Sequence, residues 1–94
     1  MNRKKLKKLS RELARLRRAP QKAQPLESLA RALGRRPDNR GKEPVWVSTE
    51  FNDLRPVSIP HHGSSNVSIG TKNSVLDQLE DDILAWDMIL KEEE

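Results

Sequence analysis

Hydrophobic positions fall into three helical stripes and two short alternating stretches. From Asn2 to Ala19, Leu6, Leu9, Leu13 and Leu16 recur at intervals of three and four. That spacing lays one leucine stripe along a helix, with Lys and Arg around the rest. Pro20 stops it, since proline lacks an N–H and clashes with the preceding turn. Gln21 to Gln24 reads as a linker. A second helix is expected from Pro25 to Leu33, with Leu26, Leu29, Ala30 and Leu33 on one face. Gly34 ends it, because glycine adopts a left-handed cap conformation at little cost.

Arg35 to Pro44 is rich in Arg, Pro, Asp, Asn and Gly, which predicts a basic loop and leaves a third, weak strand open. Val45 to Thr49 is β-branched and aromatic, the composition of a strand. Arg55 to Ile59 alternates, with Val57 and Ile59 on one side, and Pro56 and Pro60 bracket it as a strand near a sheet edge. Asn52-Asp53 between the two supplies a turn, so a hairpin is expected. His61 to Gly70 is polar and rich in Gly and Ser, hence a loop. Thr71 is the expected N-cap of the last helix. There Val75, Leu76, Leu79, Ile83, Trp86 and Leu90 form the apolar face, and Asp77, Glu80, Asp81, Asp82 and Asp87 cover the outer side. The sum is an α+β chain: a small antiparallel sheet with helices on one face, preceded by a basic helical extension. The boundary is placed between an extension and linker at 1–24 and a domain at 25–94.

Four leucines make a narrow seam for an isolated helix of this length. The first helix therefore packs on the domain, packs on a partner, or orders only on binding. Mutual repulsion of Lys4, Lys5, Lys7 and Lys8 favours ordering on binding.

Charge changes the picture more than size does. Of 94 residues, 34% are hydrophobic and 34% charged, with a formal net charge of +4. Residues 1–44 hold 15 Lys/Arg and 4 Asp/Glu, a balance of +11; residues 45–94 hold 3 and 10, a balance of −7. A cationic half of this strength points to a polyanion partner, bound with salt-sensitive affinity because neutralised phosphates release counterions. A solvated basic tail is the plainer alternative. Cysteine is absent, which excludes disulfides, thiolate metal sites and a cysteine nucleophile. No apolar run approaches the roughly 18–20 residues that cross a bilayer, and the basic start lacks the apolar stretch of a secretory signal. A cytoplasmic location and no membrane partner are expected.

The string Arg-Pro-Val-Ser-Ile-Pro-His-His-Gly (55–63), followed by Ile69-Gly70-Thr71, resembles the HicA family. These are small mRNA interferases of bacterial toxin–antitoxin pairs, with a fold similar to double-stranded-RNA-binding domains. Leu26 to Gly34 looks like the family's first helix, Val57 to His62 like its strand end, and Gly70-Thr71 through Leu79 like its last helix. The likeness spans roughly residues 25–80, and the order of these short motifs is more specific than any one of them. It implies RNA as partner, an antitoxin-like protein as a second one, no cofactor, and RNA cleavage without a metal, in which an imidazole moves the 2′-OH proton. Oligomeric state is left open.

Where the family has Gly-x-His, this chain reads Gly41-Lys42-Glu43. Glu43 then stands in the acid–base position, and an unperturbed Glu titrates about two units below imidazole, making it a weaker base. His62 matches the family's strand-end histidine and His61 is an additional one; His61, His62 and Glu43 are the catalytic candidates. Arg35, Arg36, Arg40, Lys42, Arg55, Lys4, Lys5, Lys7, Lys8, Arg17 and Arg18 are the candidate RNA contacts. Pro60 to Ser64 also looks like a stretch of metallo-β-lactamase-fold hydrolases, but two histidines cannot furnish that ligand set. Trp86 belongs to the core stripe; Trp46 either packs or stacks on a base. Beside the RNA-directed reading stands a protein-interaction module that uses the leucine-striped arm and the acidic helix.

Overall fold

The computed structural model describes residues 1–38, 44–60 and 65–93. Its elements are α1 (Arg3–Arg17), α2 (Ala23–Ala32), β1 (Arg35–Asp38), β2 (Val45–Ser48), β3 (Val57–Ser58) and α3 (Ile69–Glu93). The strands form one antiparallel sheet in the order β1-β2-β3. The chain is α+β, as its pattern predicts, and both strands of the expected hairpin are present. The stretch read as a basic loop begins as strand β1, pairing Arg35 with Ser48 and Asp38 with Val45.

Each helix starts and stops for a local reason. Asn2 caps α1, its Oδ1 accepting from the Lys5 N–H at 2.7 Å, which satisfies one of the exposed donors of a first turn. At α2 the helix begins two residues before Pro25, and that proline falls in the first turn, where its missing N–H costs nothing. Gly34 follows with φ +102°, the left-handed conformation that an L side chain resists. The chain then runs directly into β1. Thr71 is not the cap of α3. Ser68 is, its Oγ accepting from the Thr71 N–H at 3.2 Å while its carbonyl accepts from the Lys72 N–H at 2.8 Å. The helix therefore begins at Ile69, and Gly70 and Thr71 lie inside its first turn.

Side-chain alternation puts Trp46, Val57 and Ile59 on one face of the sheet, all buried in a cluster with Leu26 and Leu29 of α2, Leu33 just after it, and Val75, Leu76 and Leu79 of α3. Leu13 and Leu16 of α1 join the same cluster. Of the three arrangements open to the first helix, the structure has it packed on the body, lying along α3. The segment read as a linker is also held: the Gln21 carbonyl accepts from the Val67 N–H at 2.9 Å, and Lys22 bridges to Asn66.

Candidate nucleic-acid interface

The leucines of α1 decide where its cations go. Leu6, Leu13 and Leu16 are buried, so the opposite side of the helix must face outward. Lys4, Lys5, Lys7 and Lys8 are all exposed, and so are Arg11, Arg15 and Arg18. The helix is fixed at both ends by α3. Near its start, Arg3 forms an ion pair with Asp87, which also takes Lys91 at 3.2 Å. Near its end, Arg17 reaches Asp77 and Glu80, each at 2.9 Å. Lys72 closes the last turn. Only 5% exposed, it extends Nζ from α3 to the Arg17 and Ala19 carbonyls at 2.9 and 3.0 Å. A cation at a helix C-terminus satisfies orphan carbonyls and meets the negative end of the dipole.

The expected RNA contacts thus divide. Lys4, Lys5, Lys8 and Arg18 point outward. Lys7 is exposed but borders the groove between α1 and α3, beside Asp87 and Leu84. Arg17 is engaged by two carboxylates of α3. Arg36 is exposed and donates to the Arg31 and Arg35 carbonyls at 3.2 and 2.7 Å. Arg55 is exposed beside a depression that it shares with Asp53 and Asp81. Arg40 and Lys42 lie outside the described residues, as do the catalytic candidates His61, His62 and Glu43.

Arg35 is a correction. It is 1% exposed, and its guanidinium makes a two-pronged pair with Asp82, Nε to Oδ2 and Nη2 to Oδ1, both 2.8 Å. Its Nη1 donates to the Trp46 and Arg55 carbonyls, both at 2.9 Å. Four of its five N–H donors are thus engaged within the fold, and its burial keeps it from a phosphate. Asp82 is the matching correction on α3: it is fully buried rather than part of the acidic outer side. Burial pushes its carboxyl above the usual aspartate range, and the Arg35 hydrogen bonds and charge oppose that shift. A sequence signal existed for both surprises. Lys72, Val75, Leu79, Asp82 and Trp86 are three or four residues apart, so Lys72 and Asp82 sit on the apolar stripe.

Trp46 is 1% exposed, with the Arg31 guanidinium 5.1 Å from its ring centroid. It packs rather than stacking on a base. Trp86 donates Nε1–H to the Leu33 carbonyl at 2.8 Å, capping α2, and meets Phe51 edge-on with centroids 5.0 Å apart. Ser58, Pro60, Gly70, Thr71, Ser74 and Gln78 line a shallow groove between β3 and the start of α3. Two exposed cations of α1 were absent from the expected contacts, Arg11 and Arg15. Their spacing from Lys4 and Lys8 could have found them.

No helix among the described residues is long and apolar enough to cross a membrane. Comparisons with protein-family models, curated proteins and solved structures return no match to this chain.

Proposed function

We propose that this protein is an RNA-binding member of a HicA-like toxin–antitoxin or related system. The observation that carries the reading is the order α2–β1–β2–β3–α3 around a 1-2-3 antiparallel sheet. In support of it, Val57 lies in the last strand and Gly70 and Thr71 lie in the opening turn of the last helix. Helix, three antiparallel strands and helix is the order of a double-stranded-RNA-binding domain. Exposed cations supply the affinity for phosphate, and they lie mostly on α1, outside the matched stretch.

Ribonuclease activity belongs to the same proposal, with His62 or His61 as the proton-transfer group and Glu43 in the family's acid–base position. Lys42, Arg40 or Arg55 is the group proposed to stabilise the charge that develops on the phosphorane. Expression in a bacterial host tests it. Growth arrest that His62→Ala relieves supports the nuclease. Harmless expression, with purified protein that binds RNA in a salt-sensitive way, leaves an RNA binder without catalysis. A purified chain that ignores RNA in dilute buffer ends the proposal.

A second reading draws on α3. Leu84 and Met88 lie one turn apart and largely exposed, among Asp81, Asp87 and Glu92. That surface suits a basic amphipathic helix of a protein partner, whose binding Leu84→Lys with Met88→Lys abolishes. Leu6, Leu13 and Leu16 of α1 have no part in such a contact, since they are buried within the chain itself.

A further inference from the structure

The outward side of α1 is more ordered than a scatter of cations. Lys4, Lys8, Arg11, Arg15 and Arg18 follow one another at intervals of four, three, four and three residues, and all five are exposed. Such intervals keep to one side of a helix. Each advances about 4.5–6 Å along the axis, so the row runs roughly 21 Å.

Little acidity reaches this row. Glu12 is the one acidic residue on α1; Arg15 binds it through a hydrogen bond and holds its carboxyl below the usual range, with Lys8 adding to the effect. The carboxylates of α3 pair with Arg3 and Arg17, at the flank of α1 that faces α3. Among the described residues, Lys4, Arg11 and Arg18 have no ion pair.

Helix stability does not account for the row. Like charges four residues apart repel. Lys4 and Lys5 stand in a first turn that holds no acid, at the positive end of the helix dipole. Carboxylates there would favour the helix. The row is nevertheless held rigidly, with buried leucines beneath it and α3 clamping both ends through Asp87, Asp77, Glu80 and Lys72.

We infer that this row binds the phosphate backbone of a double-helical nucleic acid, duplex RNA under the function proposed above, on which that identity of the duplex rests. A rigid line of cations suits a ligand whose phosphates are already in order. A single strand must be ordered against it, and it recovers that loss chiefly by stacking its bases on aromatic rings. The row offers none: α1 carries no aromatic side chain, Trp46 is buried, Trp86 is tied to Leu33 and packed on Phe51, and the sequence has no further Phe, Trp or Tyr. The acidic surface of α3 repels a polyanion and confines it to the outward side of α1. Binding is therefore insensitive to sequence and steep in salt.

Anisotropy titrations of the full chain test this with three probes: a blunt duplex RNA, the same sequence as duplex DNA, and a single-stranded uridine oligomer. Five phosphate contacts give a slope of about −4.5 for log affinity against log salt, a loss of several hundredfold between about 50 and 200 mM. Combining Lys4→Gln, Lys8→Gln, Arg11→Gln and Arg18→Gln removes about 3.6 from that slope, with a melting temperature equal to or above that of the parent, which shows that the variant is folded. Unchanged duplex binding by this variant overturns the inference and leaves RNA binding standing. A single strand bound as tightly as the duplexes also overturns it. Binding of duplex DNA but not duplex RNA supports the row and refutes the RNA reading. No binding to any probe refutes both.

Discussion

Arg11 and Arg35 carry the same guanidinium into opposite surroundings. Arg11 stands on the outside of α1 with no acidic partner among the described residues. Arg35 is enclosed between the sheet and α3, and every one of its hydrogen-bonding directions toward Asp82, Trp46 and Arg55 is answered. Both contribute equally to a charge balance of +11 in the first half of the chain. One offers its charge to a ligand and the other joins two layers of the fold. Net charge counts cations; only packing says which are available.

The largest effect is expected where that enclosure is opened from one side. Asp82→Ala leaves the Arg35 guanidinium buried without its carboxylate, and arginine cannot neutralise itself by losing a proton. Breaking one side of a buried pair costs about 3–5 kcal/mol, a large share of the stability of a chain this small. Arg35→Met with Asp82→Leu removes both charges and keeps apolar volume, so denaturant unfolding should find the double variant close to the parent or more stable. If Asp82→Ala unfolded at the same denaturant concentration as the parent, the pair would have no structural role. Neither variant should change the salt slope of nucleic-acid binding, and that insensitivity separates Arg35 from the α1 row.

Lys72 sharpens the contrast, being a buried cation that serves a helix end instead of a carboxylate. Lys72→Met preserves the aliphatic stem and deprives the Arg17 and Ala19 carbonyls of their donor. Hydrogen bonds from a charged group contribute about 1.5–3 kcal/mol, and water can reach part of this site, so the lower end is expected. Hydrogen exchange in the last turn of α1 should quicken more than in α2. Equal exchange in both helices would mean that the leucines alone hold α1 in place.

Much of this architecture was legible in the sequence, for reasons that also explain the failures. The leucine spacing of α1, the Gly34 stop and the alternation through Val57 and Ile59 are local signals, each fixed by backbone geometry. The sequence leaves β1 open as a weak strand within a basic loop because Arg35-Arg36-Pro37-Asp38 has the composition of a loop; it is a strand because β2 pairs with it and Arg35 has a carboxylate to meet. Ser68 displaced Thr71 as the cap, since either hydroxyl suits that role and only tertiary contact fixes where the helix begins. Asp82 was read as a surface residue by its type, although its position on the stripe placed it inside. At the site, α1 was legible as basic, yet its outward row was resolved only once the leucines showed which side is buried. Repulsion among its lysines suggested a helix that forms on binding. The ion pairs with α3 at both ends oppose that tendency.

The smallest effect expected is a response to acid, and it has two signs within one molecule. Arg3, with Lys91, holds the Asp87 carboxyl below the usual range. A lowered folded value means stability that is present above the unfolded value of about 3.9 and is lost as pH falls through the folded one. The tether between the start of α1 and α3 therefore loosens only below about pH 4. Asp82 is raised, so its contribution runs the other way: fully present below the unfolded value and lost as pH climbs through the folded one. Arg35→Met should exaggerate this second trend, because it removes the charge that opposes the upward shift. Melting temperatures of the parent and of Arg35→Met between pH 4 and 7 compare the two. The variant should lose stability progressively across that range, while the parent stays flatter. Parallel curves would mean that Asp82 escapes its enclosure once Arg35 is gone, and that the pair, unlike the α1 row, depends on its partner to keep its place.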